Sequence, residues 1–586
     1  MCPEFLKSFR VMINQELAKI FSEMASFLEA EEVAFKPYAY QRTARVLKSL
    51  EEDIRGIYRK GGVKALEKVP SIGRGIAFKV EEYLKTGRIK EYEKLKKRFP
   101  IDLSKIIAVE GMGVRKAKIL YQKLKVKNLK DLEKAARAGR IRGLEGFGLK
   151  TEQNILEGIN FLKKSKGRFL LGEIMLTVKE IIKKLEELKE VEKVNVAGSV
   201  RRMKETVGDI DILAISKKPK EVMAFFVSLP GVVKVWGKGL TKSSIRMEGG
   251  LDVDLRVIQK KSYGSAMQYF TGSKEHNIAT RKIAMSKGLK LSEYGVFKNS
   301  EMIAGKTEEE VYKAIGLSWT PPEMRENTGE VELARKGKLP KIIDYGDIRG
   351  DLHCHSDWDG GANSIEEMAE TAREMGYEYL GISDHTKFLK IERGLNEKQL
   401  SQQKKEIDKI NGRLKKAGLK FRVLQGAEVN ILKDGSLDIE DGALKKLDYV
   451  IAGVHSNFKM EKEKMTRRII KAMKNPNVDI ISHPTGRVLQ MRDEYQIDFD
   501  KILGAAKKLG VILEINSSPD RLDLKDTNIR KAKEMGVKMI INTDAHHKNQ
   551  LKVIEFGVAQ ARRGWAEKKD IVNTQPLAKI SKVFRN

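Results

Sequence analysis

Seven of the chain's eight histidines lie between His353 and His547, and nearly every one of them ends a short apolar run. Two further apolar runs end in a carboxylate, at Glu428 and Glu514. Short hydrophobic strands separated by helical stretches indicate repeated β-α units and a parallel sheet. Because a closed β/α barrel presents its functional residues at one end of its strands, the pattern predicts that imidazoles and carboxylates converge. The chemistry expected there is that of a multi-metal hydrolytic site.

A second group of carboxylates lies in VNVAGSVRRMKETVGDIDILAIS and GLDVDLRVI. Asp209 and Asp211 alternate with apolar residues on one strand, so their side chains share a face, and Asp254 is a third candidate. Close carboxylates repel one another unless cations lie between them, and hard divalent ions prefer oxygen ligands. Three aspartates predict a two-Mg²⁺ site that activates a hydroxyl and holds a triphosphate. Ser199 and Arg202, at a helix start, would cradle the phosphates.

Three segments near the start repeat one local design, in which a small-x-Gly turn opens an amphipathic helix. Glycine permits tight turns, and the N–H groups at a helix start can face a phosphate oxygen. The segments resemble helix-hairpin-helix motifs, which bind a nucleic-acid backbone without reading its sequence. The predicted DNA-contacting glycines are Gly73, Gly111, Gly113, Gly146 and Gly148.

Composition supports a polyanionic partner. The 586 residues include 113 Lys and Arg against 81 Asp and Glu, a net charge of +32, of which +24 falls in residues 1–350 and +8 in residues 351–586. A surplus of this size favours nucleic acid, and no stretch is long and apolar enough to span a bilayer. Two cysteines exclude a disulfide framework. Because the first residues lack a signal-peptide pattern, we expect a cytoplasmic protein.

GSVRR, GDIDIL and LDVDLRV, followed by YFTGSKEHN, are similar to the family X DNA polymerases, and the similarity covers residues 1–317. It implies a gap-filling DNA repair polymerase, with gapped or primer–template DNA and dNTPs as partners and Mg²⁺ or Mn²⁺ as cofactor. The three aspartates would bind these ions, and Asp254 would accept the proton of the primer 3′-hydroxyl. The resemblance further implies triphosphate contacts at Ser199, Arg202 and Gly208, a sugar contact at Tyr269, a base-edge contact at Asn277 and a template contact at Arg281.

Lys79 falls on the family's lyase nucleophile. A lysine there could attack the aldehyde of an abasic sugar and form a Schiff base, and the alternative is an ordinary solvated helix lysine. The chain departs from the lyase pattern at Phe35, where the family has histidine, and at Glu91, where it has lysine. It also has Lys274 where the best-known vertebrate relative has aspartate.

Residues 349–575 resemble the PHP (polymerase and histidinol phosphatase) domain, a distorted seven-stranded β/α barrel with three clustered metals. A polymerase followed by this domain is the architecture of bacterial and archaeal family X enzymes. Where the family places a ninth ligand, an aspartate, this chain has Gly360, and Asp359 or Asp357 is the candidate substitute. The resemblance implies that the other eight metal ligands of the family fall on His353, His355, His385, Glu428, His455, His483, Asp544 and His546. Imidazoles together with carboxylates favour Mn²⁺ or Zn²⁺ there.

The predicted second activity is processing of DNA 3′ ends, as a 3′→5′ exonuclease, a 3′-phosphodiesterase or an abasic-site endonuclease. Several alternatives stay open at this point. The front part could be a template-independent nucleotidyltransferase, and the back part a small-molecule phosphoesterase or a structural remnant. A DNA-binding scaffold with inactive sites is a further alternative. We expect a monomer, with a monovalent cation at the hairpin turns.

The expected architecture is multidomain, with α-helical helix-hairpin-helix regions, an α+β nucleotidyltransferase palm and thumb, and a distorted (β/α)7 PHP barrel. The predicted boundaries are 1–88 for the lyase-like domain with the first hairpin, 89–168 for fingers with the other two hairpins, 169–256 for the palm, 257–317 for the thumb, 318–348 for a linker and 349–575 for the PHP domain.

Overall fold

The computed structural model of the chain describes residues 10–33, 35–50, 52–109, 112–164 and 167–584. The first part is helical and encloses its own hydrophobic core, which includes Phe21, Leu47, Ile106 and Leu132. Its helices are α1 (Arg10–Ala30), α2 (Lys36–Ser49), α3 (Ile54–Leu66), α4 (Arg74–Thr86), α5 (Lys90–Arg98), α6 (Leu103–Ile107), α7 (Val114–Leu124), α8 (Leu129–Arg137) and α9 (Leu149–Lys164).

The predicted hairpin turns precede α4, α7 and α9. Gly73 and Gly113 are extended residues directly before α4 and α7, and their carbonyls accept the amides of Ala77 and Ala117 at 2.9 and 3.0 Å. Gly148 stands in the same position before α9. The space where a Cβ would stand is open at each of these three glycines, so the backbone of each turn is accessible. Gly146 also has open space and a positive φ of 78°, whereas Gly111 lies outside the described residues.

The middle part is built on a five-stranded sheet in the order β2-β4-β7-β6-β5. Its central strands β4 and β7 are parallel, and the sheet packs on a core that includes Ile212, Phe226 and Leu255. The elements are β1 (Phe169–Leu170), α10 (Leu171–Glu186), β2 (Val191–Val196), α11 (Gly198–Arg201), β3 (Thr206–Val207), β4 (Asp209–Ser216), α12 (Pro219–Val227), β5 (Val232–Lys238), β6 (Lys242–Met247), β7 (Asp252–Ile258), α13 (Tyr263–Thr271), α14 (Lys274–Ser286), β8 (Leu289–Ser292), β9 (Gly295–Lys298), β10 (Glu301–Ala304) and α15 (Glu308–Ala314).

The segment predicted to be a linker is packed against the middle part. It contains α16 (Glu330–Arg335) and two short 3-10 turns. Arg325 is fully buried and pairs with Glu308 at 2.7 Å, and Glu330 is buried against the His276 ring at 2.7 Å. Buried charges need such partners, and these partners lie in α14 and α15. Some of the charges of this segment therefore make fixed internal contacts.

The last part consists of parallel strands that alternate with helices. The strands pair in the orders β11-β12-β13 and β14-β15-β16-β17-β18. Backbone bridges from Cys354 to Ala545 and from His385 to Glu428 join the two groups. Only two residues separate β13 from β14, so these two count as one interrupted strand. The pairing of the eight named strands is then consistent with a closed run of seven. The strands are β11 (Gly350–Cys354), β12 (Tyr379–Ile382), β13 (Arg422–Gln425), β14 (Glu428–Asn430), β15 (Ile451–Gly453), β16 (Ile480–Ile481), β17 (Ile512–Asn516) and β18 (Met539–Asn542).

Helices cover the outside of these strands, as parallel sheets require on steric grounds. They are α17 (Ile365–Glu374), α18 (Glu397–Lys416), α19 (Asp441–Leu444), α20 (Lys462–Met473), α21 (Phe499–Leu509), α22 (Asp526–Met535), α23 (Ile554–Arg563) and α24 (Leu577–Ile580). Among the residues that the structure describes, no helix has the length and apolar character needed to cross a membrane.

Candidate active sites

The aspartates of the middle part meet at the start of β4 and β7. The two strands are paired in register, so that Asp209 lies opposite Asp252 and Asp211 opposite Asp254. Asp209 is exposed, whereas Asp211 and Asp254 are half-buried. Lys242 lies beside this group, with its Nζ 3.1 Å from Asp254 Oδ2. The three predicted aspartates therefore share one face of one sheet.

Asp252, which shares that face, has a different partner. Its carboxylate pairs with Arg246 at 2.6 Å and accepts the indole N–H of Trp236 at 3.1 Å. The guanidinium lowers the pKa of Asp252. Asp252 therefore has two partners within the protein, Arg246 and Trp236, whereas Asp254 has the ion pair with Lys242 described above.

Asp211 has an unfavourable environment for a charge. Burial and the neighbouring carboxylates of Asp209 and Asp254 raise its pKa to about 6. Gly198, with a φ of 62°, approaches so closely that a Cβ there would lie 2.4 Å from Asp211 Oδ2. A cation between the carboxylates would remove the repulsion, because divalent ions bind such oxygen clusters. The donor set therefore fits divalent metal ions.

The predicted phosphate turn follows β2. Ser199 is half-buried on α11, and Gly208 has open space where a side chain would be. The guanidinium of Arg202 is engaged inside the protein, because its Nε donates to Glu326 Oε1 at 3.1 Å and its Nη1 donates to the carbonyl of Thr271. In this structure Arg202 is thus held by Thr271 and by Glu326 of the packed segment that was predicted to be a linker.

The predicted nucleotide and template contacts lie on α13 and α14. The side-chain amide of Asn277 donates to the Tyr269 carbonyl at 2.7 Å and accepts from Gln268 at 2.8 Å. The guanidinium of Arg281 lies 6.0 Å from the centre of the Tyr269 ring. These residues are together, and their proposed roles toward a nucleotide and a template strand remain predictions.

The eight candidate ligands of the last part form one cluster at the C-terminal ends of the strands. His355, His455, His483 and Asp544 lie directly or two residues beyond β11, β15, β16 and β18. The cluster contains several overlapping groups of three residues, and within each group the potential ligand atoms lie within 4.8 Å of one another. Glu428 is at the centre, with carboxylate oxygens 3.3 Å from His353, 2.9 Å from His385, 3.3 Å from His455 and 2.9 Å from His483. His546 stacks on His355 with ring centres 4.0 Å apart.

Among the described residues, several of these donor atoms are buried and make no hydrogen bond of good geometry, although Glu428 lies within 3.3 Å of three of the rings concerned. An unpaired buried polar group costs about 1–3 kcal/mol, so such a concentration of them requires an explanation. Imidazoles together with carboxylates are typical ligands of divalent transition metals, and bound ions would satisfy these atoms. The atoms are His353 Nε2, His355 Nε2, His385 Nδ1, both ring nitrogens of His455, His483 Nδ1 and Glu428 Oε2.

Carboxylates behind the cluster orient the imidazoles. Glu514 lies 2.6 Å from His353 Nδ1 and accepts the amide of His483 at 2.8 Å. Asp359 lies 2.9 Å from His355 Nδ1 and accepts the amide of His385 at 2.8 Å. Contacts of this kind direct the opposite ring nitrogen toward a metal. Asp359, the predicted substitute ligand, therefore has an orienting position, and its role as a ligand remains a prediction. Asp357 is exposed.

The protonation of the cluster is uneven. Burial lowers the pKa of His455 to about 4 and that of His546 to about 3. Burial also acts to lower the pKa of His355, but Asp359 outweighs it and raises this pKa to about 10. A neutral imidazole is the form that binds metals, so His455 and His546 are ready for that role across the physiological range.

The structure adds three charged residues that the sequence analysis did not select. Asp384 is buried and lies in one group with His355 and Asp359. Arg521 Nε lies 3.7 Å from Asp544 Oδ2. The carboxylate of Glu392 lies where a side chain on Gly360 would begin. Asp384 precedes His385 in the sequence, so adjacency to a candidate ligand was a usable signal. Arg521 and Glu392 lie on loops with no such signal.

Lys79 is paired in the structure. Its Nζ lies 3.0 Å from Glu91 Oε2. Burial acts to lower the pKa of Lys79, but Glu91 and Tyr40 outweigh it, so the pKa is raised. A Schiff-base nucleophile must be neutral, so this environment disfavours the reaction. The lyase role remains a prediction without support from this geometry.

Comparison with known proteins gives matches in all three parts of the chain. Family models match for the helix-hairpin-helix domain at residues 12–89, the DNA polymerase beta thumb at 266–326 and the PHP domain at 351–518. A probable phosphatase of Thermoanaerobacter sp. (strain X514) is 37% identical over 207 residues, which cover 33% of this chain and 78% of that protein. A solved polymerase beta from Leishmania infantum, described as a ternary complex, is 24% identical with a TM-score of 0.26, and the match covers 38% of this chain and 97% of that chain. A TM-score this low supports no inference about the fold.

One relative matches almost the whole chain. The DNA polymerase/3'-5' exonuclease PolX of Bacillus subtilis (strain 168) is 36% identical over 574 residues, which are 97% of this chain and 99% of that protein. The chain therefore belongs to the family X DNA polymerases that carry a C-terminal PHP domain. The resemblance found in the sequence motifs is confirmed.

Proposed function

We propose that this protein is a DNA-directed DNA polymerase that fills short gaps in DNA repair and also processes DNA 3′ ends in its PHP domain. The observation that supports this proposal is the presence of two separate metal-type donor clusters in one chain, the aspartates of β4 and β7 and the histidine cluster. Polymerisation needs a free 3′-hydroxyl, and damage often leaves a blocked one. One site would remove the block from a DNA 3′ end, and the other site would then extend the same end.

In the polymerase site, Asp209, Asp211 and Asp254 would hold Mg²⁺ or Mn²⁺. Ions bound there would activate the attacking hydroxyl and neutralise the triphosphate. Asp254 would accept the proton of the primer 3′-hydroxyl. Arg202, on leaving Glu326, would join Ser199 in binding the β and γ phosphates of a dNTP.

In the PHP site, the histidine cluster would hold Mn²⁺ or Zn²⁺. Ions bound there would polarise a phosphodiester and lower the pKa of an attacking water. Glu514 and Asp359 keep the rings of His353 and His355 in a single orientation through their Nδ1 atoms. The same chemistry suits a 3′→5′ exonuclease, a 3′-phosphodiesterase and an abasic-site endonuclease.

The hairpin turns before α4, α7 and α9 would bind the DNA backbone, because each presents helix N–H groups next to an open glycine. Their contacts would be independent of sequence, with a monovalent cation bridging turn and phosphate. We assign the protein to the cytoplasm and expect it to act as a monomer.

One observation favours a second candidate function for the PHP domain. The domain is 37% identical to a relative named as a probable phosphatase, so a small phosphate monoester is an alternative substrate. Assaying the protein on a 3′-labelled DNA end and on histidinol phosphate would separate the two. If the protein hydrolyses histidinol phosphate and releases no 3′ nucleotides from DNA, the proposed substrate of the PHP domain becomes a small phosphate monoester.

The decisive test uses a 5′-labelled primer on a one-nucleotide gap, with Mg²⁺ or Mn²⁺. Wild-type protein is compared with Asp209→Ala and His483→Ala. We expect extension to be lost only in the aspartate variant and 3′ shortening only in the histidine variant. Extension without shortening in either metal would leave a polymerase with a structural barrel, and extension of single strands with rNTPs would favour a template-independent nucleotidyltransferase.

A further inference from the structure

The side-chain space of Gly360 is occupied by another residue. An ideal Cβ on Gly360 would lie 2.1 Å from Glu392 Oε2 and 3.2 Å from its Cδ. Real Cβ atoms do not approach other atoms this closely, so Glu392 can hold its position only because residue 360 is glycine. A carboxylate is therefore present at the place where the chain lacks the expected aspartate.

Glu392 reaches this place from a different loop. It ends the 3-10 turn Lys390–Glu392, which follows β12 and His385. Its side chain is 13% exposed. The carboxylate therefore lies beside Gly360, next in sequence to Asp359, whose Oδ2 lies 2.9 Å from His355 Nδ1 at the edge of the histidine cluster.

The counter-charge of Glu392 comes from the N-terminal part. Arg45 on α2 donates to Glu392 Oε1 at 2.8 Å and to Oε2 at 3.3 Å. Arg42, on the same helix, donates to the carbonyl of Gly361 at 2.8 Å. Asn549, beyond β18, donates to the carbonyl of Ser49 at 3.1 Å. Helix α2 thus packs at the edge of the histidine cluster.

Asp359 is less suited to replace the expected aspartate. Its Oδ2 is shared between His355 Nδ1 and the amide of His385, and its Oδ1 accepts the amide of Gly361. Moving Asp359 toward a metal would break all three bonds. Glu392 would lose only its pairing with Arg45, for which a divalent cation is an equivalent counter-charge.

We infer that Glu392 is a ligand of the metal centre in the histidine cluster, where it supplies the carboxylate that Gly360 lacks. Arg45 neutralises this carboxylate when no ion is bound. The inference rests on the proposed metal-dependent function of the cluster. It also makes the N-terminal helix α2 a neighbour of the nuclease metal centre.

The first experiment measures bound metal. Full-length protein is loaded with Mn²⁺, freed of excess ions by gel filtration and assayed for manganese per chain, and the dissociation constant is determined by titration. For Glu392→Ala we expect about one ion fewer per chain, or an affinity at least about tenfold lower. The matched control is Glu397→Ala, a carboxylate five residues further on that pairs with Lys387 at 2.6 Å. It should bind metal as the wild type does.

A second comparison separates a ligand from a structural ion pair. If Glu392 only anchors Arg45, Arg45→Ala should lose metal to the same extent as Glu392→Ala. If Glu392 is a ligand, Arg45→Ala should keep its full metal content, because only the competing cation is removed. Equal losses in the two variants would overturn the inference.

The third variant restores the expected aspartate. Glu392→Ala empties the side-chain space of Gly360, and Gly360→Asp in the same chain fills that space with the carboxylate that the family resemblance leads one to expect at residue 360. We expect the double variant to regain the ion that Glu392→Ala loses. Full metal binding by Glu392→Ala itself would overturn the inference while leaving the proposed function intact. A wild-type protein that binds no metal at the cluster would instead overturn the proposed function.

Discussion

The two metal-type clusters differ in how they are prepared for ions. The aspartates of β4 and β7 range from exposed to half-buried, and mutual repulsion contributes to the raised pKa of Asp211. Most residues of the histidine cluster are buried, and carboxylates such as Glu514 and Asp359 hold its rings from behind. An open cluster of like charges exchanges ions readily, whereas a buried, oriented set retains them. We therefore expect the first site to acquire ions with its nucleotide and the second to be loaded beforehand.

The largest effect should follow from breaking the aspartate cluster. Asp254→Ala removes a proposed metal carboxylate that is also the proposed acceptor of the 3′-hydroxyl proton, so primer extension should fall by about 10³-fold or more. Asp252→Ala is the matched control, because Asp252 shares the strand face but is neutralised by Arg246. Extension should stay within a few-fold of wild type in that variant. Equal losses in a single-turnover extension assay would contradict the distinction between the two residues.

Metal removal should affect the two clusters differently. After dialysis into metal-free buffer, the histidine cluster should keep its ions while the aspartates lose theirs. Ions present at about 100 times their dissociation constant stabilise a fold by roughly 2.7 kcal/mol, so a strong chelator should lower the thermal midpoint of the PHP domain. His455→Ala should abolish this shift, and Asp254→Ala should preserve it. A shift that persists in His455→Ala would place the tightly bound ions elsewhere.

In the metal-free protein, the repulsion at Asp211 should lower the free energy of unfolding by an amount that depends on pH. Since its folded pKa of about 6 lies above the ordinary value of 3.8, ionisation destabilises the fold increasingly between about pH 4 and pH 6. Asp211→Asn should therefore raise stability at pH 7 by up to roughly 2–3 kcal/mol, while it removes extension. The gain should vanish below pH 4. Calorimetry at both pH values checks the prediction, and a gain that is equal at both would contradict it.

The smallest effect concerns Arg202, the arginine proposed to bind the triphosphate. Arg202 is held by Glu326, which also pairs with Arg563 of α23 at 3.1 Å. Glu326→Ala should release Arg202 and lower the KM for dNTP by a few-fold, with kcat little changed. Glu332→Ala, in the same segment but exposed, is the control. A KM that rises in Glu326→Ala would mean that Glu326 positions Arg202 and does not restrain it.

Much of both sites could be predicted from local sequence. The face shared by Asp209 and Asp211 follows from the two-residue period of a strand, and the positions of His455 and His483 follow from apolar runs that end at a sheet edge. The family resemblance rested on such short motifs and is confirmed over the chain. The predicted domain boundaries and the individual ligand roles remain predictions.

Other features depend on contacts between distant segments. Glu392 fills the space of Gly360, and Glu326 holds Arg202 across 124 residues of sequence. The segment around Arg325 is composed like a linker but is packed, because Arg325 pairs with Glu308. None of these pairings has a periodic or local signature.

The sequence by itself determined the class of fold, the two kinds of chemistry and most of the residues that cluster at the two sites, because strand alternation and strand-end motifs are local properties. Only the tertiary structure decided which carboxylate stands beside the histidines, which guanidinium is already occupied and where α2 packs. Those choices depend on which side chains the folded chain brings within about 3 Å of one another. Loop paths and domain packing set that proximity, and neither is encoded in a spacing of residues.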